Sequence, residues 1–397
     1  MINKLTGLRV LSIDAFRGIT ILVMIFVNEL HGVSGIPAWM KHMPADADAM
    51  SFVDVVFPAF LFIVGMSIPF ALNYRLAKGD ITFQLSAHIV WRTIGLLILG
   101  VFMVNTEEGY NEKAMGMSIY LWSLLFYIAI ILVWNVYTLK RKEWTYLFRG
   151  VGILGLIALA FIYRGGDGTQ LLQPQWWGIL GLIGWAYLFS CIFYRMFRGN
   201  ILLLIIMIGI CTVIYIIGQM PSVSESPWLQ WISYEAGNAA HTSITLSGVV
   251  LTLIYFDEGK RKINSRRFLE ALLFTTALLA AGYFLRPYYK ISKIYATPTW
   301  CLYSAVICCI TYSALYWLID LKGFSRWTHF FRPAGSNPLL TYIIPDIVFA
   351  LEMFLGFSLV SEYFHQGVPG ILWSAFYAVA VMAVVIGLNK LNIKLRL

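Results

Sequence analysis

Residues 52–72 read FVDVVFPAFLFIVGMSIPFAL, and Asp54 is the one ionisable residue in this stretch. At about 1.5 Å per residue, a helix of this length crosses the roughly 30 Å hydrocarbon layer of a bilayer. Inside lipid the backbone must satisfy its own hydrogen bonds, so a segment of this kind forms a helix. The stretch therefore predicts a transmembrane helix.

The rest of the chain repeats this pattern. Of 397 residues, 59% are hydrophobic and 12% are charged, whereas a typical soluble domain has about 25% charged residues. We predict about twelve transmembrane helices (range ten to twelve), near residues 11–30, 52–72, 86–104, 117–137, 146–163, 176–193, 201–217, 238–256, 268–285, 298–318, 338–357 and 370–388. The sequence thus predicts an all-α polytopic integral membrane protein, with residues 1–397 forming a single transmembrane domain.

The net charge of +9 does not indicate nucleic-acid binding, because the basic residues cluster in short loops beside the spans. If the N-terminus is cytoplasmic, alternate loops hold 22 of the 29 lysines and arginines and the opposite loops hold six. This asymmetry predicts that both termini of this multi-pass membrane protein are cytoplasmic. The five cysteines lie within spans without metal-ligand spacing, so we predict neither a disulfide framework nor a metal site.

Ionisable residues inside spans are costly, and each is therefore a candidate for function. The first span contains SIDAFRG, in which Asp14 and Arg17 are three residues apart and share a helix face. Two interpretations stay open at this point. The two residues form a structural ion pair, or Arg17 helps to receive an anionic cofactor at the inner surface.

The far end of the same span reads FVNELHG, with Asn28, Glu29 and His31, and the following loop adds His42 before Asp54. A histidine beside a carboxylate can serve as a general base or accept an acyl group, although a loop histidine is often simply solvated. Asp54 lies at the mouth of an apolar helix, where an unpaired carboxylate is costly. We therefore expect Asp54 to have a polar partner.

Three further regions contain candidate residues. Residues 286–300, RPYYKISKIYATPTW, combine basic and aromatic side chains, including Lys293 and Trp300. This composition suits an acidic sugar or, alternatively, lipid headgroups. His241 is expected to be an interfacial histidine at the start of the eighth span. In the eleventh span region, at least one of Asn337, Asp346 and Glu352 is expected to face a cavity.

Four strings resemble the heparan-α-glucosaminide N-acetyltransferase family, in particular its shorter bacterial relatives. RVLSIDAFRGITILVMIFVN (9–28) is similar to that family's first core helix. MKHM (40–43) and FVDVVFPAFLFIVGMSI (52–68) are similar to its K-H loop and the next helix. SAHIVWRTIGLLILGVFMVN (86–105) and GSNPLLTYIIPDIVF (335–349) are similar to two later helices. The resemblance is specific over about the first 105 residues, patchy through the middle, and moderate again near the C-terminus.

The resemblance implies one transmembrane acyltransferase domain that moves acetyl from cytosolic acetyl-coenzyme A to the amine of a terminal glucosamine on the other side, as in heparin or heparan sulfate degradation. It implies His42 as the active-site histidine, with Asn28 and Asp54 as its catalytic neighbours. Direct transfer and a two-step route through acetyl-histidine stay open. The expected coenzyme A residues are Asp14, Arg17, Arg92, Arg9 and Arg75. The expected saccharide-binding residues are Trp39, Glu29, His31, Lys293, Trp300, Asn337 and Asp346.

The chain also departs from the family pattern. Its loop between Asn28 and Asp54 is longer, which makes His31 a rival to His42, and Asp346 stands where eukaryotic relatives have histidine. Two other functions remain open, an O-acetyltransferase of a cell-envelope glycan and a twelve-helix secondary transporter. The second is disfavoured because NYRLAKGDIT (73–82) lacks the transporter signature G-x-x-x-D-R-x-G-R-R. The sequence predicts no metal cofactor and leaves a homodimer open.

Overall fold

Twelve apolar helices dominate the computed structural model, which describes residues 10–257 and 263–397. They are α1 Leu11–Leu30, α2 Val53–Ala77, α3 Thr82–Glu107, α4 Ile119–Trp134, α5 Lys142–Ile162, α6 Gly178–Met196, α7 Ile201–Gly218, α8 Gln230–Phe256, α9 Asn264–Leu285, α10 Pro298–Leu315, α11 Pro338–Leu355 and α12 Gly367–Lys390. α10 continues as a wider π-helical turn at Tyr316–Leu321. Shorter helical turns occur at Ala38–Met40, Glu112–Met115, Pro221–Ser224, Arg326–Phe330, Arg332–Ser336 and Glu362–His365.

Within these described ranges, eleven helices are long and apolar enough to cross a membrane, judged by length and composition. The twelfth, α4, is apolar but only 16 residues long, which gives it a length of about 24 Å. The predicted class, an all-α polytopic membrane protein, is therefore confirmed. The cytoplasmic location of the termini stays a prediction.

The helices form two compact units. The first consists of the described residues within Met1–Thr20, Pro37–Ile94 and Leu182–Thr328. The second consists of Ile21–Ile36, Gly95–Gly181 and His329–Leu397. The prediction that residues 1–397 act as one domain stays a prediction.

α8 is the central helix of the first unit, where it packs against α2, α7 and α10. α2 and α8 approach closely at two glycines. A Cβ added to Gly65 would collide with the carbonyl oxygen of Thr245, and one added to Gly248 would collide with that of Phe62. Small residues allow two helix backbones to approach in this way. The crossing holds α2, whose first turn contains Asp54, against the most buried helix of the unit.

Replacing Gly248 by alanine should lower the melting temperature of the purified protein, because the new methyl group meets backbone atoms that have no rotamer to adopt. Overpacking of this kind costs about 1–3 kcal/mol. Gly237→Ala is the matched control, since it lies on the same helix with nothing within 4 Å of the added Cβ. Equal melting temperatures for the two variants, measured by fluorescence-detected gel filtration, would disprove the close approach.

In the second unit, α4 packs against α5 and α11, and α11 packs against α12. Three aromatic rings form its centre. Phe102 stacks on Trp122 at a centroid distance of 5.4 Å and on Phe126 at 4.9 Å, and all three side chains are buried. The Trp122 indole N–H donates to the carbonyl oxygen of Leu159, which satisfies its one polar atom inside this apolar packing.

Candidate active site

The carboxylate of Asp54 organises the loop that precedes α2. Its Oδ2 atom accepts hydrogen bonds from the N–H groups of Met43 and Ser51, at 3.2 and 3.0 Å. Its Oδ1 atom lies 2.7 Å from Nδ1 of His42. Three such contacts on two oxygens suit an ionised carboxylate, which only accepts hydrogen bonds. Asp54 therefore fastens the loop, with His42 on it, to the start of α2.

The His42 ring joins this buried carboxylate to the protein surface. The His42 side chain is 39% exposed, whereas that of Asp54 is 1% exposed. When Nδ1–H donates to Asp54, the ring keeps a lone pair on Nε2, and this assignment follows from the hydrogen bond. A half-exposed imidazole oriented by a buried carboxylate is able to act as a general base or as a nucleophile.

A distant part of the chain adds a cation to this pair. Nζ of Lys293 lies 3.2 Å from both ring nitrogens of His42, although the two residues are 251 positions apart. Burial lowers the pKa of Lys293, and the negative charge of Asp54 opposes that shift. The site thus places the Asp54 carboxylate 2.7 Å from one ring nitrogen of His42 and the Lys293 amine beside the same ring.

Trp300 contacts the same aspartate through the main chain. Pro58 has no N–H group, so the carbonyl of Asp54 lacks its usual helical partner one turn later. The indole N–H of Trp300, a residue of α10, donates to this carbonyl at 3.2 Å. Trp300 is completely buried. It therefore stabilises the first turn of α2 at the point where the proline weakens it.

His241 packs next to Trp300. It is buried, so the expectation of an interfacial histidine is wrong. Its side chain is 5% exposed. The ring meets Phe57 edge-on at a centroid distance of 5.3 Å and Trp300 at 6.1 Å. The string GNAAHTSITLSG did not reveal this burial, because its small and polar residues resemble those of a helix end, whereas α8 begins seven positions before the string, at Gln230.

Asp48 anchors the same loop to the turn before α10. Its Oδ1 atom accepts the N–H of Ile291 at 2.9 Å, and its carboxylate lies 3.3 Å from Nε of Arg286. The hydrogen bond from Ile291, assisted by Arg286, lowers the pKa of Asp48 below its ordinary value of 3.8. This contact keeps Lys293, two positions after Ile291, close to the loop that contains His42.

The lowered pKa of Asp48 predicts how this anchor depends on pH. A carboxylate with a lowered folded pKa stabilises the fold above its unfolded pKa, and the effect is lost as the pH falls through the folded value. Amide exchange at Ile291 should therefore be several-fold faster in Asp48→Asn than in wild type near neutral pH. The difference should disappear progressively below about pH 3.8. Asp46→Asn, an exposed residue of the same loop, is the control. A difference that persists unchanged in acid would contradict the anchor.

The remaining predicted substrate residue of the first unit, Trp39, is 60% exposed. Its ring packs against Phe52 at a centroid distance of 5.8 Å, next to the start of α2. Trp39, His42, Asp54, Lys293 and Trp300 thus belong to the same unit, and the last four are joined by direct contacts.

The predicted coenzyme A residues of the first unit have protein partners. Arg17 lies 3.5 Å from Asp14 and donates to the Ser67 hydroxyl at 2.7 Å. Arg75 forms an ion pair with Asp80 at 3.0 Å. These contacts agree with the structural interpretation of the Asp14–Arg17 pair and leave the cofactor interpretation open.

Arg92 lies over the ring of Tyr187, with Cζ 4.7 Å from the centroid. Arg9, the fifth predicted coenzyme A residue, lies outside the described residues.

The other predicted residues belong to the second unit. Asn28 and His31 are exposed at the end of α1. Glu29 is half-buried, and one of its oxygens accepts the indole N–H of Trp373 at 2.9 Å. Asp346 is half-buried on α11. Their contact with a substrate stays a prediction.

Asn337 is completely buried in the second unit, next to the C-terminal segment. Its amide nitrogen donates to Oδ1 of Asn389 at 2.9 Å and to the carbonyl of Ile393 at 3.0 Å, and its oxygen accepts the N–H of Leu395 at 3.1 Å. The amide is therefore fully used within the protein. Among the described residues, no group of three or more His, Cys, Asp or Glu side chains is placed to hold a metal ion.

Comparison with known proteins relates the chain to two groups of sequences. The model of the family described as "Domain of unknown function (DUF5009)" matches residues 9–236, which is more than half of the chain. The chain is 38% identical over 98 residues to heparan-alpha-glucosaminide N-acetyltransferase of Homo sapiens and 36% identical over 98 residues to that of Mus musculus. The matched stretch is 24% of this chain but only 14% of each relative. It confirms the expected family relationship, and the match to the family model shows that the chain belongs to the DUF5009 family.

Proposed function

We propose that this protein is a membrane-embedded acetyltransferase that moves acetyl from cytosolic acetyl-coenzyme A to the amine of a terminal glucosamine on the opposite side of the cytoplasmic membrane. The observation that carries the proposal is the 2.7 Å contact between the half-exposed His42 and the buried Asp54. The partial similarity to two glucosaminide N-acetyltransferases supports it.

The reaction needs a base, which His42 supplies in this proposal. The glucosamine nitrogen attacks the thioester carbonyl carbon while Nε2 of His42 takes the amine proton. The carbon–sulfur bond then breaks, its electron pair leaves on sulfur, and the thiolate takes the proton from His42. Asp54 keeps Nδ1–H in place and stabilises the imidazolium between these steps. In the alternative two-step route, Nε2 first accepts the acetyl group and then gives it to the amine.

In this proposal the other predicted residues stabilise the oxyanion, bind coenzyme A or bind the sugar. The family resemblance assigns to Asn28 the role of an amide donor for the developing oxyanion. If both termini are cytoplasmic, Asp14, Arg17, Arg75 and Arg92 lie near the inner surface, where guanidinium groups attract the phosphates of coenzyme A. Trp39 supplies an exposed aromatic face for a sugar ring.

The experiment that tests the proposal compares acceptors. Purified protein is incubated with acetyl-coenzyme A and either glucosamine or N-acetylglucosamine, and products are separated by mass spectrometry. We expect N-acetylglucosamine from glucosamine, with equimolar release of free coenzyme A. Acetylation of hydroxyl groups on both acceptors would instead show an O-acetyltransferase. An intact thioester with every acceptor would contradict the enzyme and favour a transporter.

The acceptor class is the second part of the proposal. A glucosamine-ended heparin disaccharide should be a better acceptor than free glucosamine if the protein acts in heparin or heparan sulfate degradation. The measurement is kcat/KM for the two acceptors at the same acetyl-coenzyme A concentration. A clear preference for the free monosaccharide would contradict the glycosaminoglycan assignment but leave N-acetyl transfer intact.

A further inference from the structure

A cleft of about 500 Å³ opens at the end of α9, in the unit that contains His42. Its walls include Asp48, Tyr283, Phe284, Arg286, Tyr288 and Lys290. α9 ends at Leu285, so four of these six residues lie outside a helix that is apolar enough to cross a membrane. Aromatic rings and charged groups therefore border a space that a water-soluble ligand is able to reach.

The backbone on one side of the cleft is fixed by an inward-facing residue. The ring of Tyr289 meets that of Tyr215 edge-on at a centroid distance of 6.1 Å. The carbonyl of Tyr289 accepts a hydrogen bond from the Thr299 hydroxyl. Its two neighbours, Tyr288 and Lys290, are both exposed. The fold thus holds this backbone in place and leaves one aromatic ring and one amine free for a ligand.

The charges of the cleft leave one cation available. The Asp48 carboxylate lies 3.3 Å from Nε of Arg286, and Nη2 of Arg286 donates to the Asp48 carbonyl at 3.4 Å. This ion pair balances the charge of Arg286. Lys290 has no ion-pair partner within 4 Å among the residues that the structure describes. The cleft therefore has a net positive charge at Lys290, which favours an anionic ligand.

The cleft adjoins the proposed catalytic histidine. Asp48 follows His42 by six positions in the same loop. Lys290 precedes Lys293 by three positions, and the Lys293 amine lies 3.2 Å from the ring nitrogens of His42. Three residues span at most about 11 Å, so the backbone at Lys290 is close to the backbone at Lys293. A short saccharide whose terminal amine lies at His42 is therefore long enough to reach the cleft.

We propose that this cleft is an acceptor subsite that binds an acidic sugar next to the terminal glucosamine. Lys290 pairs with the carboxylate or sulfate of that sugar, and Tyr288, which is 80% exposed, stacks on one face of its ring. The inference rests on the proposed acetyl transfer. It assigns to these two residues the selection of the acceptor, without contact with the reacting atoms.

Basic and aromatic side chains at a helix end also suit lipid headgroups, but the composition of the cleft favours a saccharide. Its walls come from the end of α9, the turn after it and the loop that contains His42, and not from one lipid-facing helix surface. Sugar hydroxyls both donate and accept hydrogen bonds, which suits the carboxylate of Asp48 and the guanidinium of Arg286. A lipid phosphate only accepts them.

The first test reverses the charge at Lys290 and compares two acceptors. One is a disaccharide of glucosamine linked to a uronic acid, and the other is a disaccharide of two glucosamines. An exposed ion pair contributes a factor of up to about five, and charge reversal adds repulsion. We therefore expect Lys290→Glu to raise KM about tenfold for the acidic acceptor and to lower it for the basic one. General damage to the site would not produce these opposite shifts.

Lys113→Glu is the matched control for this test, because Lys113 is an exposed lysine of the second unit. It should leave both KM values at the wild-type level. Tyr288→Ala removes the stacking surface and should raise KM about threefold for both disaccharides. Changes in KM that are equal for the acidic and the basic acceptor in Lys290→Glu would overturn the subsite.

The second test measures binding without turnover. The affinity of the full-length protein for the acidic disaccharide is measured by calorimetry in the absence of acetyl-coenzyme A. We expect about tenfold weaker binding in Lys290→Glu and near wild-type binding in Lys290→Arg, which keeps the charge. If wild type transfers no acetyl group, the proposed function fails, while this affinity difference still supports the subsite.

Two results of the binding test would overturn the inference. One is equal affinity of wild type and Lys290→Glu for the acidic disaccharide. The other is a loss of co-purified phosphatidylglycerol from Lys290→Glu with unchanged disaccharide binding, which would assign the cleft to lipid headgroups.

Discussion

Replacing His42 by alanine should lower the rate of acetyl transfer to glucosamine by about 10²–10⁴-fold. General base catalysis by a positioned side chain contributes a factor of this size, and His42 is the imidazole that is held at 2.7 Å by the buried Asp54. The loss would be larger in the two-step route, because the nucleophile itself would be missing. The measurement is the release of coenzyme A from acetyl-coenzyme A in the presence of saturating glucosamine.

His31→Ala is the matched control for this variant. His31 is exposed at the end of α1, before the loop that contains His42. It should keep activity within a few-fold of wild type, and both variants should elute like wild type, because both side chains reach the protein surface. Loss of activity in His31→Ala with activity retained in His42→Ala would move the chemistry to His31.

Replacing Asp54 by asparagine should have the second largest effect, again about 10²–10⁴-fold on kcat. The amide carries no charge to stabilise an imidazolium. Its N–H₂ group would also face donors from Met43 and Ser51 that now point to Oδ2. The imidazole would then turn or change tautomer, which misplaces Nε2. The variant should also melt earlier than wild type, because buried donors lose their acceptor.

Activity and stability have to be separated for Asp54→Asn. The measurement is therefore kcat at a temperature well below the melting transition of the variant, together with the melting temperature. Asp46→Asn, an exposed aspartate of the same loop, should alter neither quantity. A folded Asp54→Asn protein with wild-type kcat would show that the carboxylate serves the loop alone.

The helices were largely predictable from the sequence, because lipid imposes one requirement on every span. The first predicted span, 11–30, coincides with α1 at Leu11–Leu30. The predicted bounds differ from the structure at helix ends, because the requirement for an apolar helix applies only inside the hydrocarbon layer. The span predicted at 238–256 is a helix from Gln230 to Phe256. Its first two turns are more polar than the remainder, and hydropathy cannot detect a helix that continues into a polar region.

The candidate site was only partly predictable. A carboxylate at the mouth of an apolar helix needs a polar partner, and the expected partner of Asp54 is present as His42. The sequence does not show that Met43 and Ser51 donate to it, because backbone hydrogen bonds in a loop follow no periodicity. The contacts of Lys293 and Trp300 with the His42–Asp54 pair depend on how α10 packs against α2. No local pattern contains that information.

The sequence also did not predict the position of Trp300. Its place in a basic, aromatic segment suggested a sugar-binding surface, whereas the structure buries it completely and directs its N–H to the carbonyl of Asp54. Pro58 was the available signal, since a proline inside a helix always leaves one carbonyl without its helical donor. The sequence cannot tell which residue will supply the replacement.

Transfer across a sealed membrane tests most directly whether the protein moves acetyl from acetyl-coenzyme A on one side to glucosamine on the other. Protein is reconstituted into liposomes that contain glucosamine, and acetyl-coenzyme A, which does not cross the bilayer, is added outside. We expect N-acetylglucosamine to accumulate inside the liposomes with wild-type protein and not with His42→Ala. Product that forms only when acetyl-coenzyme A and glucosamine share one compartment would contradict an active site that joins the two faces of the membrane.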